Sequence, residues 1–145
     1  MLPESIELII VTPQRQLLHE KVAAVQLPGA SGELGILPGH APLITELGNA
    51  ELSYRSSGAG EPVILAVLSG FAEVLPDRVT VLAETAERPE EIDVERAKEA
   101  LARAEKRLAS SDPNIDWDRA TVALQRALTR IQVGTRRRHV HSHSS

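Results

Sequence analysis

The chain changes character at Pro89. Eight of its nine prolines and eight of its nine glycines lie at or before this residue, and an alanine- and charge-rich pattern follows. Residues that interrupt regular structure are therefore concentrated in the first part. Residues 1–88 carry 5 basic and 11 acidic side chains, a net of -6, whereas residues 89–145 carry 11 and 9, a net of +2. We therefore predict two domains with a boundary near Arg88-Pro89.

Residues 1–88 have the pattern of short strands separated by turns. Ile6, Leu8 and Ile10 alternate along one face of a strand, and the segment 22–27 is a second apolar stretch that ends at Pro28-Gly29. The segment 63–69 is nearly all apolar, as expected for a strand covered on both faces. Several short strands with turn signals between them are typical of a β-sandwich or a barrel.

Residues 89–134 have helical periodicity. Apolar residues recur at steps of three and four in two stripes, separated by the breaker Ser110-Ser-Asp-Pro-Asn114. The stripes are Val94, Ala97, Leu101, Ala104 and Leu108 in the first helix, and Trp117, Ala120, Leu124, Ala127 and Ile131 in the second. We predict an antiparallel helix hairpin that ends at Gly134. Its alanine-rich seams bury little area, so the hairpin should be mobile.

Residues 135–145 form a basic tail with alternating histidines, Arg-Arg-Arg-His-Val-His-Ser-His-Ser-Ser from position 136. The segment lacks apolar periodicity, and we predict that it is disordered. Its histidines offer a second interpretation, capture of a divalent metal ion.

Several classes of function are excluded or disfavoured by the sequence. The chain has no cysteine, which excludes disulfides and thiol nucleophiles and favours a cytoplasmic environment. Its net charge of -4 and its three aromatic residues argue against nucleic-acid binding. No apolar run approaches the roughly 18 residues of a spanning helix, so we expect no direct membrane insertion. A phosphate-binding glycine motif is absent, and the segment around Ser31 only partly resembles a nucleophile elbow, which leaves a small hydrolase as a weak alternative.

The most distinctive segment is Gly32-Glu-Leu-Gly-Ile-Leu-Pro-Gly-His-Ala-Pro-Leu-Ile-Thr45. Its three glycines permit positive φ and its two prolines lock negative φ, which together fix the shape of a segment that presents Glu33 and His40. We interpret the segment as a long rigid loop, followed by a strand, that serves as a contact surface.

This segment, together with Leu68–Val74 and Val79–Ala86, resembles the epsilon subunit of bacterial F-type ATP synthases, called delta in mitochondria. The resemblance covers roughly residues 5–133. It implies an α+β fold, with an N-terminal β-sandwich at 1–88 that binds the gamma subunit and the c-ring, and a regulatory C-terminal antiparallel helix hairpin at 89–134.

The resemblance also implies a function. The protein is expected to be a non-catalytic rotor subunit at the cytoplasmic face of the inner membrane, with Glu33 and His40 facing the c-ring and gamma. The hairpin is expected either to fold on the sandwich or to extend into the alpha/beta catalytic head and inhibit ATP hydrolysis. From Arg119 onward there are six arginines and no acidic residue, which suits an acidic partner. The alternative function is a free-standing ligand-binding β-domain with a helical dimerisation hairpin.

A narrower resemblance concerns regulatory ATP, which is the only ligand indicated; no cofactor is expected to be required. Some bacterial members bind ATP through an Ile/Leu-Asp-x-x-Arg-Ala motif, and the segment 92–97 matches it. The implied set is Glu87, Ile92, Asp93, Arg96, Ala97, Arg103, Arg126 and Arg130. Two interpretations of the arginines stay open. They can surround an anion, or they can pair with local carboxylates, as Glu99 and Arg103 can at four-residue spacing.

Overall fold

A computed structural model describes residues 2–143 of the chain, with side chains described for residues 2–136. The chain divides into two compact units, Met1–Glu87 and Arg88–Ser145, one residue before the boundary expected from the sequence. The strands are β1 (Ile6–Val11), β2 (Gln16–Val22), β3 (Ala24–Gly29), β4 (Gly32–Ile36), β5 (Leu43–Leu47), β6 (Ala50–Arg55), β7 (Val63–Leu75) and β8 (Arg78–Glu87). A 3-10 turn (Pro89–Glu91) precedes the helices α1 (Val94–Leu108) and α2 (Trp117–His143).

The first unit is a β-sandwich whose two layers share strand β7. The strand order is β2-β1-β8-β7-β5-β3-β4, and β6 pairs with β3 and β7. Residues 70–74 of β7 pair with β5, whereas residues 63–67 of the same strand pair with β6. All these pairs are antiparallel except β1 with β8, which is parallel. The predicted sandwich followed by a helix hairpin is confirmed.

Strand β7 passes between the layers at Ser69-Gly70. Both residues have positive φ, 60° at Ser69 and 146° at Gly70. A Cβ atom on Gly70 would lie 2.1 Å from the carbonyl oxygen of Leu82, so only glycine fits here. The Ser69 hydroxyl donates a hydrogen bond to Oδ1 of Asn49, 3.3 Å away. Gly70 therefore bends a continuous strand and does not end one.

The sandwich core consists of aliphatic side chains from both layers. Ile6, Leu8 and Ile10 are fully buried, as their alternation predicts. The apolar stretch 22–27 spans the junction of two strands, because β2 ends at Val22 and β3 begins at Ala24. The amide of the intervening Ala23 donates to the carbonyl oxygen of Arg55 at 2.7 Å. Val22 and Val25 are both buried on either side of this junction, so both strands contribute to one core.

The second unit is a hairpin with an alanine seam. Both helices begin at an aspartate that accepts a hydrogen bond at 3.0 Å from the amide three residues later, from Arg96 to Asp93 and from Arg119 to Asp116. The four predicted seam alanines are buried, namely Ala97, Ala104, Ala120 and Ala127. The predicted seam leucines are only half-buried, and Trp117 is 48% exposed. Close approach of the helices therefore depends on small side chains.

The predicted helix end at Gly134 is wrong. Helix α2 continues through Gly134 to His143, so residues 135–143 of the predicted disordered tail have helical backbone. Gly134 is buried, with Val94 and Ile92 beside it. Glycine is used here for close packing and not for a left-handed helix end. Residues 144 and 145 of the predicted tail lie outside the described residues.

Candidate functional site

Glu33 lies in a strand, which corrects the interpretation that Glu33 and His40 share one long loop ahead of the following strand. It is the second residue of β4, and its carboxylate accepts a hydrogen bond from Nε2 of Gln26 on the neighbouring strand at 3.3 Å. Both side chains are exposed. Glu33 is therefore held at the end of a β-hairpin, where an ordered sheet positions its charge.

The actual loop comprises residues 37–42 and contains His40. The amide of Gly39 donates to the carbonyl oxygen of Pro76 at 2.7 Å, and the amide of His40 donates to that of Leu37 at 3.2 Å. His40 is half-buried, and its Nδ1 lies 2.7 Å from the carbonyl oxygen of Ala41. The Leu37 side chain is 63% exposed at the start of the loop. Glu33 and His40 thus lie at opposite ends of β4, and they flank an exposed apolar side chain.

Sequence reasoning missed an exposed apolar patch on the outer face of the sandwich. It consists of Ile44, Phe71 and Leu82, which are 74%, 56% and 57% exposed. Phe71 is directly paired with Leu82 on β8, while Ile44 lies on the other neighbouring strand, β5. Strand alternation in β7 could have revealed the patch, because Phe71 lies on the opposite face of the strand from the buried Ala72 and Val74. An exposed aromatic side chain grouped with aliphatic ones is typical of a protein contact.

The nucleotide-motif residues 92–97 surround the start of α1. Asp93 is the N-cap of α1, so its carboxylate already has a structural role. Ile92 and Ala97 are buried at 8% and 5% exposure, whereas Arg96 is exposed. Within this motif, two residues contribute to packing, one caps the helix, and one presents a cation to solvent.

The remaining predicted ATP residues are distributed over β8 and both helices. Glu87 is the last residue of β8 and is half-buried. Arg103 is exposed and lines an open depression of about 540 Å³ with Lys106 and Arg107. Arg126 and Arg130 are half-buried one turn apart on α2, and Nε of Arg126 is buried. Along α2 they lie one residue before and three residues after the buried seam residue Ala127.

Four cations cluster where α1 ends and α2 begins. Arg107 and Arg119 line a second depression, of about 260 Å³, together with the acidic Asp116. In the portion of the hairpin whose side chains are described, Arg103, Lys106, Arg107 and Arg119 form no ion pair with a carboxylate. We call these four residues the tip cluster. The stretch 103–119 also holds four carboxylates, so its net charge is zero, although these four cations remain available for contacts outside the hairpin; the carboxylates are Glu105, Asp112, Asp116 and Asp118.

The described residues contain no grouping of three or more His, Asp or Glu side chains that could hold a metal ion. The tail histidines fall outside the described side chains, so their predicted metal capture is untested. No helix within the described part of the chain has the length and apolar character needed to cross a membrane.

The chain is thus a two-domain protein, a β-sandwich with an exposed apolar patch followed by a helix hairpin. Residues 5–89 match the family model for the ATP synthase delta/epsilon chain beta-sandwich domain, and residues 90–134 match that for its long alpha-helix domain. The chain belongs to the ATP synthase delta/epsilon chain family, which confirms the family inferred from its motifs.

Individual relatives agree with this assignment. The ATP synthase epsilon chain of Koribacter versatilis is 57% identical over 110 residues, 76% of each chain. That of Syntrophobacter fumaroxidans is 48% identical over 131 residues, 90% of this chain and 96% of the relative.

Two solved structures contain chains with a fold similar to that of this protein. A chain in the Euglena gracilis mitochondrial ATP synthase structure of OSCP, F1 and c-ring has a TM-score of 0.79 and 27% identity, with 89% of this chain and 81% of that chain covered. A chain of the Tetrahymena thermophila mitochondrial central stalk and c-ring has a TM-score of 0.55 at 14% identity, over 90% of this chain and 94% of that one. The second likeness shows the fold alone.

Proposed function

We propose that this chain is a non-catalytic subunit of the central stalk of a proton-translocating F-type ATP synthase. In this role it couples rotation of the c-ring to the catalytic head, and it lies at the cytoplasmic face of the inner membrane as a peripheral subunit. The consecutive matches of both family domains over residues 5–134 carry the proposal. The presence of the c-ring in the Euglena structure named above supports the proposed location in the assembly.

The outer apolar patch of Ile44, Phe71 and Leu82 is the proposed gamma-binding surface. Its three side chains are more than half exposed on three adjacent strands of one layer. Covering them would remove apolar area from water and so favour association. Aromatic residues in such patches often contribute most to binding. Phe71 is therefore the residue whose loss should weaken gamma binding most.

Co-purification from membranes tests this proposal. Wild-type chain should isolate with gamma and the other ATP synthase subunits, and Phe71→Ser should lose most of that association while its circular dichroism stays normal. Val63→Ser is the matched control, because Val63 is a 40% exposed apolar residue in the 63–67 half of β7, outside the patch. Isolation of the wild type alone or as a homodimer would favour the alternative of a free-standing β-domain with a dimerisation hairpin.

The β4 hairpin end and the 37–42 loop are the proposed c-ring contact. Glu33 offers an exposed carboxylate, His40 a half-buried imidazole, and Leu37 an exposed apolar side chain between them. Main-chain hydrogen bonds fix the loop before any partner binds, so little conformational entropy is lost on association.

Inhibition of ATP hydrolysis is the proposed role of the helices when they extend into the alpha/beta head. The unpaired tip cluster supports it, because its charge is available to an acidic surface without breaking an existing ion pair. Replacing Arg107 and Arg119 together by alanine should relieve inhibition of the assembled enzyme. Lys98→Ala is the control, since Lys98 already pairs with Glu95 at 3.5 Å. Equal effects of the two changes would contradict a specific role for the tip.

Regulatory ATP binding to the folded hairpin is proposed for the set Glu87, Ile92, Asp93, Arg96, Ala97, Arg103, Arg126 and Arg130. Its support is the motif at 92–97 together with the position of Arg126 and Arg130 one turn apart, where both can donate paired hydrogen bonds to phosphate oxygens. A ligand that prefers the folded hairpin would oppose inhibition.

Calorimetry on the isolated chain tests the ATP site directly. Losing one charge-assisted contact typically removes about 1.5–3 kcal/mol, so Arg126→Ala and Arg130→Ala should each weaken ATP binding roughly tenfold to a hundredfold. Arg119→Ala is the matched control, because it removes an arginine of the same helix outside the set. Unchanged affinity in both variants, or no binding to wild type at millimolar ATP, would refute the nucleotide site and leave the stalk assignment intact.

A further inference from the structure

The packing of α2 against the start of the second unit depends on the missing side chain of Gly134. A Cβ atom at this position would lie 2.6 Å from Cγ2 of Val94 and 3.3 Å from Cγ2 of Ile92. Both of these side chains are buried, with Val94 2% exposed and Ile92 8% exposed. The neighbouring Val133 is fully buried as well. We call the space between Gly134, Val94 and Ile92 the glycine notch.

The walls of the notch are poorly able to move aside. Val94 and Ile92 are β-branched, which restricts their χ1 angles. Their backbone is fixed on both sides of Asp93, because the amide of Ile92 donates to the carbonyl oxygen of Pro89 at 3.2 Å and the Asp93 carboxylate caps α1. A methyl group at position 134 would therefore push α2 away from α1, since the walls cannot absorb it.

A glycine inside a helix is unfavourable in the helix itself, because it is a poorer helix former than alanine. That cost is the same whether α2 lies against α1 or is separated from it. The benefit of Gly134 exists only in the closed hairpin, where α2 reaches Val94. We infer that Gly134 is a conformational device that favours the closed hairpin over a separated, intact α2, and that filling the notch opens the hairpin.

This inference rests on the proposed function for its biological meaning, since the closed hairpin is the proposed non-inhibitory form. It also connects packing with the proposed ATP site, because Ile92 belongs to both the notch and the motif at 92–97. The device itself is a property of the isolated chain, and it can be measured without the assembled enzyme.

Distance measurements between two spin labels test the notch in the full-length chain. The chain has no cysteine, so single cysteines can be placed at Ala102 on α1 and Gln125 on α2, both exposed. Gly134→Ala should lower the ratio of closed to open hairpin roughly fivefold to a hundredfold, the range that corresponds to typical overpacking in a core. Gln132→Ala, an exposed change on the same helix, should leave the ratio unchanged.

A second variant separates the notch from general loss of structure. Val94→Ala removes the wall atom nearest the new methyl group, so Gly134→Ala combined with Val94→Ala should recover most of the closed population and any lost helical circular dichroism. A wild-type distance distribution in Gly134→Ala, or failure of the combined variant to recover, would overturn the inference. Normal notch behaviour in a chain that never inhibits the assembled enzyme would instead refute the proposed regulation and leave the notch standing.

Discussion

The two units of this protein are stabilised by different kinds of packing. The sandwich buries large aliphatic side chains completely, as Leu8, Leu27 and Leu52 illustrate at 0% exposure. In the hairpin, four of the five buried seam positions are alanines and the fifth is Val94, while the leucines beside them stay half-exposed around an open groove lined by Leu101 and Leu124. Buried area is therefore large per residue in the first unit and small in the second.

This difference indicates a division of labour. Hydrophobic stabilisation scales with the apolar area removed from water, so the sandwich should keep one conformation while the hairpin can separate at low cost. Under the proposed function, the sandwich needs a fixed shape as a contact surface, and the hairpin needs two accessible states as a regulatory element. The composition change at Pro89 marks the transition from one requirement to the other.

The largest expected effect is in the sandwich. Leu8→Ala should lower the free energy of unfolding by about 2–5 kcal/mol, because it removes a fully buried side chain and leaves a cavity. Urea denaturation followed by the fluorescence of Tyr54, the only tyrosine and a buried sandwich residue, measures it. A loss similar to that of a surface substitution would mean that the core relaxes around the cavity and that the contrast between the units is overstated.

A smaller effect is expected for the equivalent change in the hairpin. Leu101→Ala should cost about 1 kcal/mol, because a half-exposed side chain loses only part of its transfer free energy. Trp117 is the only tryptophan and lies in the hairpin, so its fluorescence separates this transition from that of Tyr54. The Trp117 transition should come at lower urea in the wild type. Coincident transitions in the wild type would show that the two units unfold as one.

Removal of the hairpin should change the stability of the sandwich even less than these substitutions change the stability of their own units. A chain truncated after Arg88 should keep its Tyr54 transition within about 1 kcal/mol, the size of one net hydrogen bond, because its core lies wholly within residues 1–87. It should also still bind gamma. The full-length chain is the reference, and a folded truncation that fails to assemble would contradict the division of labour.

The smallest effect on stability is expected at the proposed c-ring contact. Glu33→Ala with His40→Ala should change the free energy of unfolding by less than about 0.5 kcal/mol, as for most surface substitutions, while it weakens coupled proton pumping. Thermal melting and proton pumping in membranes measure the two quantities. A large fall in melting temperature with normal pumping would show that His40, which is half-buried beside Ala41, stabilises the loop instead.

The spacing of apolar residues along the chain predicted the strand and helix features that depend only on residues close in sequence. The alternation at Ile6, Leu8 and Ile10 identified β1, and the steps of three and four identified the seam alanines of both helices. Both signals follow from the geometry of a strand or a helix, in which spacing along the chain determines which side chains share a face.

The features that the sequence did not reveal depend on contacts between residues that are far apart in the chain. A glycine near the end of a helical pattern has the same local signature whether it ends the helix or packs against Val94, and only the partner distinguishes the two. Glu33 was assigned to a loop because Gly32 and Gly35 suggested irregular structure, although pairing with β3 makes the segment a strand. The exposure of Phe71 likewise follows from which face of β7 meets the second layer.

The bend at Ser69-Gly70 has a mechanical consequence. Because β7 runs without interruption through both layers, the strand that carries Phe71 in one layer is covalently continuous with the strand that pairs with β6 in the other. A force applied at Phe71 would therefore pass from one layer to the other along peptide bonds as well as across side-chain packing. We expect the two layers to move together, with the bend at Ser69-Gly70 as the covalent link between them.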